Sequence, residues 1–372
     1  MSAPMTVFRG LLTPLKTSRY CSFAIINETK RCYCYNGKVR ALVYAEYGDP
    51  VKVMKLSETD LAPLESNSVK IKMLASPINP SDINTIQGIY PIKPQLPCVG
   101  GFEGVGEVTE VGGQVTEVKP GDRVIPAVGT LGTWRSHLVC PVNHVMSVPL
   151  DTPPLIAATL KVNNCTAFRM LADFVELQPG DSVIQNAANS GAGQAVIQIA
   201  AARGLKTINI VRDRPNLDGL ISHLQDLGAT AVVTEESLRG HDANILKEMP
   251  KPKLALNAVG GKSAIITLVK ALDDCGTVVT YGGMSKQPVM VPTGSLIFND
   301  LKFVGYWMTR WHDRNAGSEE AKRMITQICQ WGVSGQLRAP QHRLVPLSDY
   351  ASAFEAAQQP YTSQKQILTF EE

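Results

Sequence analysis

The chain has 372 residues, 44% of them hydrophobic and 19% charged, an ordinary globular composition with room for two domains and substantial cores. No uninterrupted apolar run reaches about 18 residues, which argues against a membrane span. The formal charge of +3 is uneven: Arg9, Lys16, Arg19, Lys30 and Arg31 against Glu28 put +4 on residues 1–36 and leave −1 on the rest. So nearly neutral a body gives no reason to expect nucleic acid as the main partner.

Residues 1–36 are basic, poor in acid and rich in Ser and Thr, and they lack the apolar core of a secretory signal, so they read as a mitochondrial targeting segment; a tail without an address is the alternative. The eight cysteines are scattered, three of them within that segment, and none of the spacings is that of a zinc site. From residue 39 to 150 short alternating runs such as Val69-Lys70-Ile71-Lys72-Met73, punctuated by glycines, predict a compact β-rich domain. From about residue 160 strand and helix units follow one another, and after about residue 308 the pattern turns irregular. Leu344 to Phe370 then reads as strand material with an Ala-rich helix. The expected architecture is α/β: a β-rich domain built from both chain ends, residues 37–160 and 309–372, into which a doubly wound parallel-sheet nucleotide-binding domain, residues 161–308, is inserted.

Within the central segment, Pro179-Gly180-Asp181 introduces a buried strand over Ser182 to Gln185, and Gln194 to Arg203 reads as a helix stopped by Gly204. Between them lies Asn186-Ala187-Ala188-Asn189-Ser190-Gly191-Ala192-Gly193. A strand, a glycine turn and a helix N-terminus set backbone N–H groups and a positive dipole end against a pyrophosphate. The motif is degenerate: with Gly193 as the last glycine of G-x-G-x-x-G, the first two places hold Ala188 and Ser190. Lys206 to Val211 reads as a second strand ending in Arg212-Asp213-Arg214, about 20 residues on, where such folds read the adenosine ribose. Two arginines on one extended face suit a 2′-phosphate, hence NADPH; Asp213 on a free 2′-hydroxyl is the alternative.

Several separated motifs then carry a resemblance. Arg40 to Tyr44, Pro77 to Asn84, Gly100-Gly101-Phe102-Glu103-Gly104, Gly132-Thr133-Trp134 and the dinucleotide turn resemble the medium-chain dehydrogenase/reductase superfamily, collinear over residues 38–370. Asn186 to Gln198, Arg212 to Arg214, Tyr281-Gly282-Gly283-Met284 and Lys365 to Leu368 are similar to its mitochondrial trans-2-enoyl thioester reductases. The resemblance implies a GroES-like catalytic domain, a homodimer in the mitochondrial matrix, and NADPH-dependent reduction of enoyl thioesters of acyl carrier protein or CoA in fatty acid synthesis. It places Tyr90 as proton donor and Trp307 in substrate placement. For the cofactor it implies Asn163, Asn189, Ser190, Gly191, Ala192, Arg212, Asp213, Arg214, Tyr281, Gly282, Gly283, Met284, Tyr306, Trp307, Met308 and Lys365. No metal is expected, because Asn79 and Phe102 stand where zinc-dependent relatives carry cysteine and histidine. A basic mouth for the carrier is expected at Arg310, Arg314, Lys322 and Arg323, with a solvated helix face as the alternative. Phe102, in place of asparagine, and Lys161, in place of glycine, depart from the family pattern and keep two other readings open: a quinone or enone reductase, and a non-catalytic NADPH-binding protein.

Overall fold

The computed structural model describes residues 37–370; the expected targeting segment lies outside them. The β-rich part is organised by the ten-residue strand Ser68–Pro77. Val69, Ile71, Met73 and Ala75 face inward at 0–4% exposure, while Lys70 turns out to pair with Glu110 at 2.6 Å. That alternation fixes the register, since a slip of one residue would put the lysines into the core. Around this strand a seven-stranded sheet forms, running from His342–Pro346 through Lys365–Thr369, Ser68–Pro77, Val105–Val111 and Arg123–Pro126 to Val145–Val148, with His137–Pro141 also paired to the central strand. A three-stranded sheet joins Lys55–Asp60, Lys38–Tyr44 and Cys98–Val99. The two chain ends meet where Lys365–Thr369 runs antiparallel to Ser68–Pro77, with Ile367 opposite Pro77.

The second sheet has six strands, all pairs parallel, ordered Ala231–Thr234, Lys206–Val211, Ser182–Gln185, Leu254–Asn257, Thr277–Thr280, Lys302–Gly305. Counted along the chain that is 3-2-1-4-5-6, the doubly wound order. Ser182–Gln185 is buried on both faces, as are Leu254–Asn257, so these strands show continuous burial and not alternation. The crevice for a ligand falls at the carboxyl ends of Ser182–Gln185 and Leu254–Asn257, where the order reverses. These strands lie within residues 182–305, inside the segment expected to hold this domain.

One region departs from expectation. The stretch read as irregular after residue 308 contains two helices, Met308–Arg314 and the 15-residue Glu319–Val333. Ser318 caps the longer one by accepting from Ala321 N at 3.1 Å, and Ala321, Met324, Ile325, Ile328 and Cys329 form its buried stripe. The capping residue, the two glutamates of the first turn and the i, i+3, i+4, i+7 spacing were all legible signals. Among the described residues no helix is long and apolar enough to cross a membrane.

Candidate active site

The degenerate dinucleotide turn makes physical sense residue by residue. Ala187 takes the left-handed conformation at φ 51°, and Ser190 serves as N-cap of the helix Gly191–Ala202, accepting from Gly193 N at 3.1 Å. Such a cap is worth about 1 kcal/mol. A β-carbon on Gly193 would stand 2.6 Å from Ala188 O, so glycine is needed there for the helix to approach the strand. The free first-turn amides at Gly191 and Ala192 are then presented at the crevice. Asn186 ties this turn to the neighbouring loop, its Nδ2 donating to Asn257 Oδ1 and its Oδ1 accepting from Ala258 N, both at 2.8 Å. Asn189 is held through its carbonyl, which accepts from Gln194 Nε2 at 2.8 Å.

Against the helix N-terminus lies a buried polar cluster, with members from the β-rich part and from residues 160–164. A β-carbon on Gly191 would meet Asn163 Oδ1 at 2.9 Å and Lys365 Nζ at 3.6 Å, so these two expected cofactor residues do converge on the turn. Asn163 sits in a π-helical segment, Leu160–Asn164, a wide turn of the kind often found at functional sites. Its Nδ2 donates to Asn79 Oδ1 and Glu103 Oε1, each at 3.3 Å; Asn79 Nδ2 donates to the same Glu103 oxygen at 2.7 Å, and Val162 N to Glu103 Oε2 at 2.7 Å. Lys365 Nζ donates to Asn79 Oδ1. Asp82, also buried, accepts from Asn79 N at 2.8 Å and Phe102 N at 3.0 Å. Burial pushes the Glu103 and Asp82 carboxyls above their ordinary range, opposed by the Lys365 charge and these hydrogen bonds, and burial also holds the Lys365 ammonium below its ordinary value.

Tyr90 follows Gly88, which turns at φ 71°, in the loop after the helix Pro80–Ile86. Its hydroxyl accepts from Trp307 Nε1 at 2.8 Å, and the two rings meet edge to face at 6.1 Å. Phe102 lies on the other ring contact at 6.3 Å. Burial raises the Tyr90 pKa, partly offset by the Trp307 and Thr309 hydrogen bonds, so the hydroxyl keeps its proton at working pH. Because the Trp307 N–H donates, the Tyr90 proton is not taken up by the indole.

The remaining expected residues divide. Arg212 and Arg214 both stack on the ring of Tyr361, at 5.2 and 5.5 Å, while Asp213 turns back to accept from Arg214 N at 2.8 Å. Gly282 lies where a β-carbon would be 2.7 Å from Ala258 O, Gly283 is open, and Met284 is 60% exposed, so this loop offers backbone and one apolar side chain. The Tyr281 hydroxyl is buried beside Ser190 without a formed hydrogen bond, an orphaned polar atom at the crevice that suits a polar ligand. Tyr306 packs inward, edge to face with Phe174 at 5.7 Å and donating to Met308 Sδ at 2.9 Å, and Met308 is buried. Of the four basic residues, Arg310 stacks on Trp307 at 5.5 Å, whereas Lys322 pairs with Glu319 at 2.8 Å on the long helix. Lys161 is 5% exposed; its Nζ donates to Val128 O, its carbonyl faces His312 Nε2 at 3.3 Å, and burial lowers its pKa to about 8. Glu103 and Asp82 stand inside quoted motifs yet have no expected role, and Tyr361 carries no local signal at all; only its contacts reveal it.

Comparison with known proteins follows the same lines. Residues 65–150 match the family described as alcohol dehydrogenase GroES-like domain, and residues 191–325 the one described as zinc-binding dehydrogenase. The donor set here does not fit that metal: Asn79 and Phe102 offer neither thiolate nor imidazole, Glu103 is engaged by three donors, and the described residues hold no group of three His, Cys, Asp or Glu able to bind one. The chain is 55% identical to the mitochondrial enoyl-[acyl-carrier-protein] reductase of Homo sapiens over 333 residues, 89% of each chain, and 44% identical to that of Caenorhabditis elegans over 89% of this chain and 95% of the other. Among solved structures it resembles the Etr1p complex with NADP and crotonyl-CoA, at 32% identity, TM-score 0.83, and 90% and 100% coverage. A putative NADPH:quinone reductase from Bacillus thuringiensis is similar at 25% identity and TM-score 0.80, covering 90% of this chain and 99% of that one. The protein is a nicotinamide-dependent oxidoreductase fold of the medium-chain type, and the chain belongs to the family of mitochondrial enoyl-[acyl-carrier-protein] reductases.

Proposed function

We propose that the protein reduces trans-2-enoyl thioesters to saturated acyl thioesters with NADPH, in the mitochondrial matrix, as a step of fatty acid synthesis. The observation that carries this reading is the Tyr90 hydroxyl, protonated and fixed by Trp307 at 2.8 Å, in a chain whose Asn163 and Lys365 lie against the dinucleotide turn at Gly191. A bound nicotinamide supplies the hydride taken up by the β-carbon. Tyr90 Oη hydrogen-bonds the thioester oxygen as enolate charge develops there, or hands its proton to the α-carbon, and the Trp307 N–H stabilises the phenolate left behind. Ser190, Gly191 and Ala192 hold the pyrophosphate at the helix N-terminus, and Arg212 and Arg214 the 2′-phosphate, while Asp213 accepts from Arg214 N. Tyr281 to Met284, Asn163, Asn189, Trp307 and Lys365 complete the cofactor seat, with Tyr306 and Met308 packed behind it.

Arg310 on Trp307, with Arg314 and Arg323, offers the positive mouth for an acidic acyl carrier protein or the phosphates of CoA. A second copy of the chain is the partner for the free edge of the parallel sheet: Lys302–Gly305 ends the sheet, and Leu296, Ile297, Phe298 and Val304 nearby are 37–81% exposed. Residues 37–160 with 309–372 and residues 161–308 form the catalytic and cofactor domains of this reading, and residues 1–36 its targeting segment.

The likeness to a quinone reductase supplies the second reading. Protein lacking residues 1–36, given trans-2-decenoyl thioester or a quinone with NADPH or NADH, separates the two at the nicotinamide absorbance. Rapid NADPH oxidation with the thioester is expected; intact NADPH binding with oxidation by quinone alone would sink the thioester reading.

A further inference from the structure

Tyr361 lies in the turn between the helix Tyr350–Gln358 and the strand Lys365–Thr369, in the β-rich part of the chain, whereas Arg212 and Arg214 follow the strand Lys206–Val211 of the parallel sheet. Its ring is nevertheless the surface on which both guanidinium groups stack, at 5.2 and 5.5 Å from the centroid. Two cations beside each other repel, and the Arg214 guanidinium is held below its ordinary pKa by burial and by Arg212, with Tyr361 acting in the opposite sense. A π-ring that attracts both offsets that repulsion and restricts where the two side chains can go. Tyr361 pays for its position with a left-handed backbone at φ 60°, a conformation that a bulky residue seldom adopts without surrounding constraint. Four residues later the same segment sends Lys365 Nζ to Asn79 Oδ1 and to the face of Gly191. One C-terminal turn therefore reaches both the helix N-terminus and the arginine pair.

We infer that Tyr361 is a specificity-determining residue for the dinucleotide, its ring pre-setting Arg212 and Arg214 as a paired fork for the 2′-phosphate and thereby favouring NADPH over NADH. The inference rests on the proposed NADPH reading of the arginine pair. Side chains already stacked in the free protein lose less freedom when the phosphate arrives, which is where the gain in affinity comes from. The ring contacts of Tyr361 are with the arginine pair, so it acts on binding and not on turnover.

The test measures binding to the cofactor-free protein of 2′,5′-ADP, which carries the 2′-phosphate but no nicotinamide, by calorimetry, and of NADH by its fluorescence. Asparagine tolerates the left-handed backbone, so Tyr361→Asn removes the ring with little strain, and Tyr361→Phe keeps it. Tyr361→Asn is expected to weaken 2′,5′-ADP by a factor of about five while leaving NADH unchanged, with Tyr361→Phe close to wild type. Wild-type 2′,5′-ADP affinity in Tyr361→Asn, beside a clear loss in Arg212→Ala, would overturn the role of Tyr361 and leave the phosphate reading intact. Equal weakening of both ligands in Tyr361→Asn would overturn it as well. Unchanged 2′,5′-ADP binding in Arg212→Ala would remove the phosphate reading itself, and the inference with it.

Discussion

The dinucleotide turn at 186–193 and the polar cluster around Glu103 face each other, yet they are built in opposite ways. The turn is local: a strand, a cap at Ser190 and a close-packed glycine at Gly193 follow one another within residues 182–193, and the functional groups are mostly backbone. The cluster is assembled from four distant segments, bringing Asn79, Glu103, Asn163 and Lys365 into one hydrogen-bonded group of side chains. Local construction tolerates substitution at any position where only backbone is needed, which is why Ala188 and Ser190 stand acceptably in glycine places. Long-range construction does not, because every buried member satisfies a partner whose loss leaves another polar group unpaired.

Breaking the cluster should therefore have the largest effect. Glu103→Ala strands the donors of Asn79, Asn163 and Val162 and removes the counter-charge of Lys365; about 3 kcal/mol of stability should disappear in urea unfolding. Gly193→Ala attacks the turn at the one place where backbone packing demands glycine, and should cost about 2 kcal/mol while weakening NADPH in the same titration; an undisturbed Kd would mean that the helix approach is less constrained than 2.6 Å implies.

The most gradual effect, spread over a pH window, concerns Lys161, the chain's own departure beside the cluster. Its folded pKa, about 8, lies below its unfolded value, so the folded state releases the proton first and stability attributable to this group rises as pH climbs from about 8 to 10.5. Lys161→Met, which never carries the buried charge, should lack that rise, and the difference in unfolding free energy between the two proteins should change by less than about 1.4 kcal/mol per pH unit across the window. Parallel pH profiles would show that Lys161 is not held in its low-pKa environment.

The same contrast explains what could be read before the structure. The strand, turn and helix at 182–202, the strand ending at Val211 and the return of the C-terminus to the β-rich sheet were legible because hydrophobic period and turn residues are local signals. Tyr90 and Trp307 came from resemblance, and the structure joins them across 217 positions by one hydrogen bond. Glu103 and Asp82 look like ordinary acidic residues until burial and donors are known, and Tyr361 is an undistinguished aromatic until two arginines are found on its face. The helix Glu319–Val333, by contrast, carries its cap and its apolar stripe in the local sequence.

The separation of cofactor seat from proton donor is the central claim, and Tyr90→Phe tests it most directly, with turnover of trans-2-decenoyl thioester and the Kd for NADPH measured on the same preparation. The account predicts that kcat falls by about two orders of magnitude or more while the Kd stays at the wild-type value. Turnover undiminished in Tyr90→Phe would contradict it.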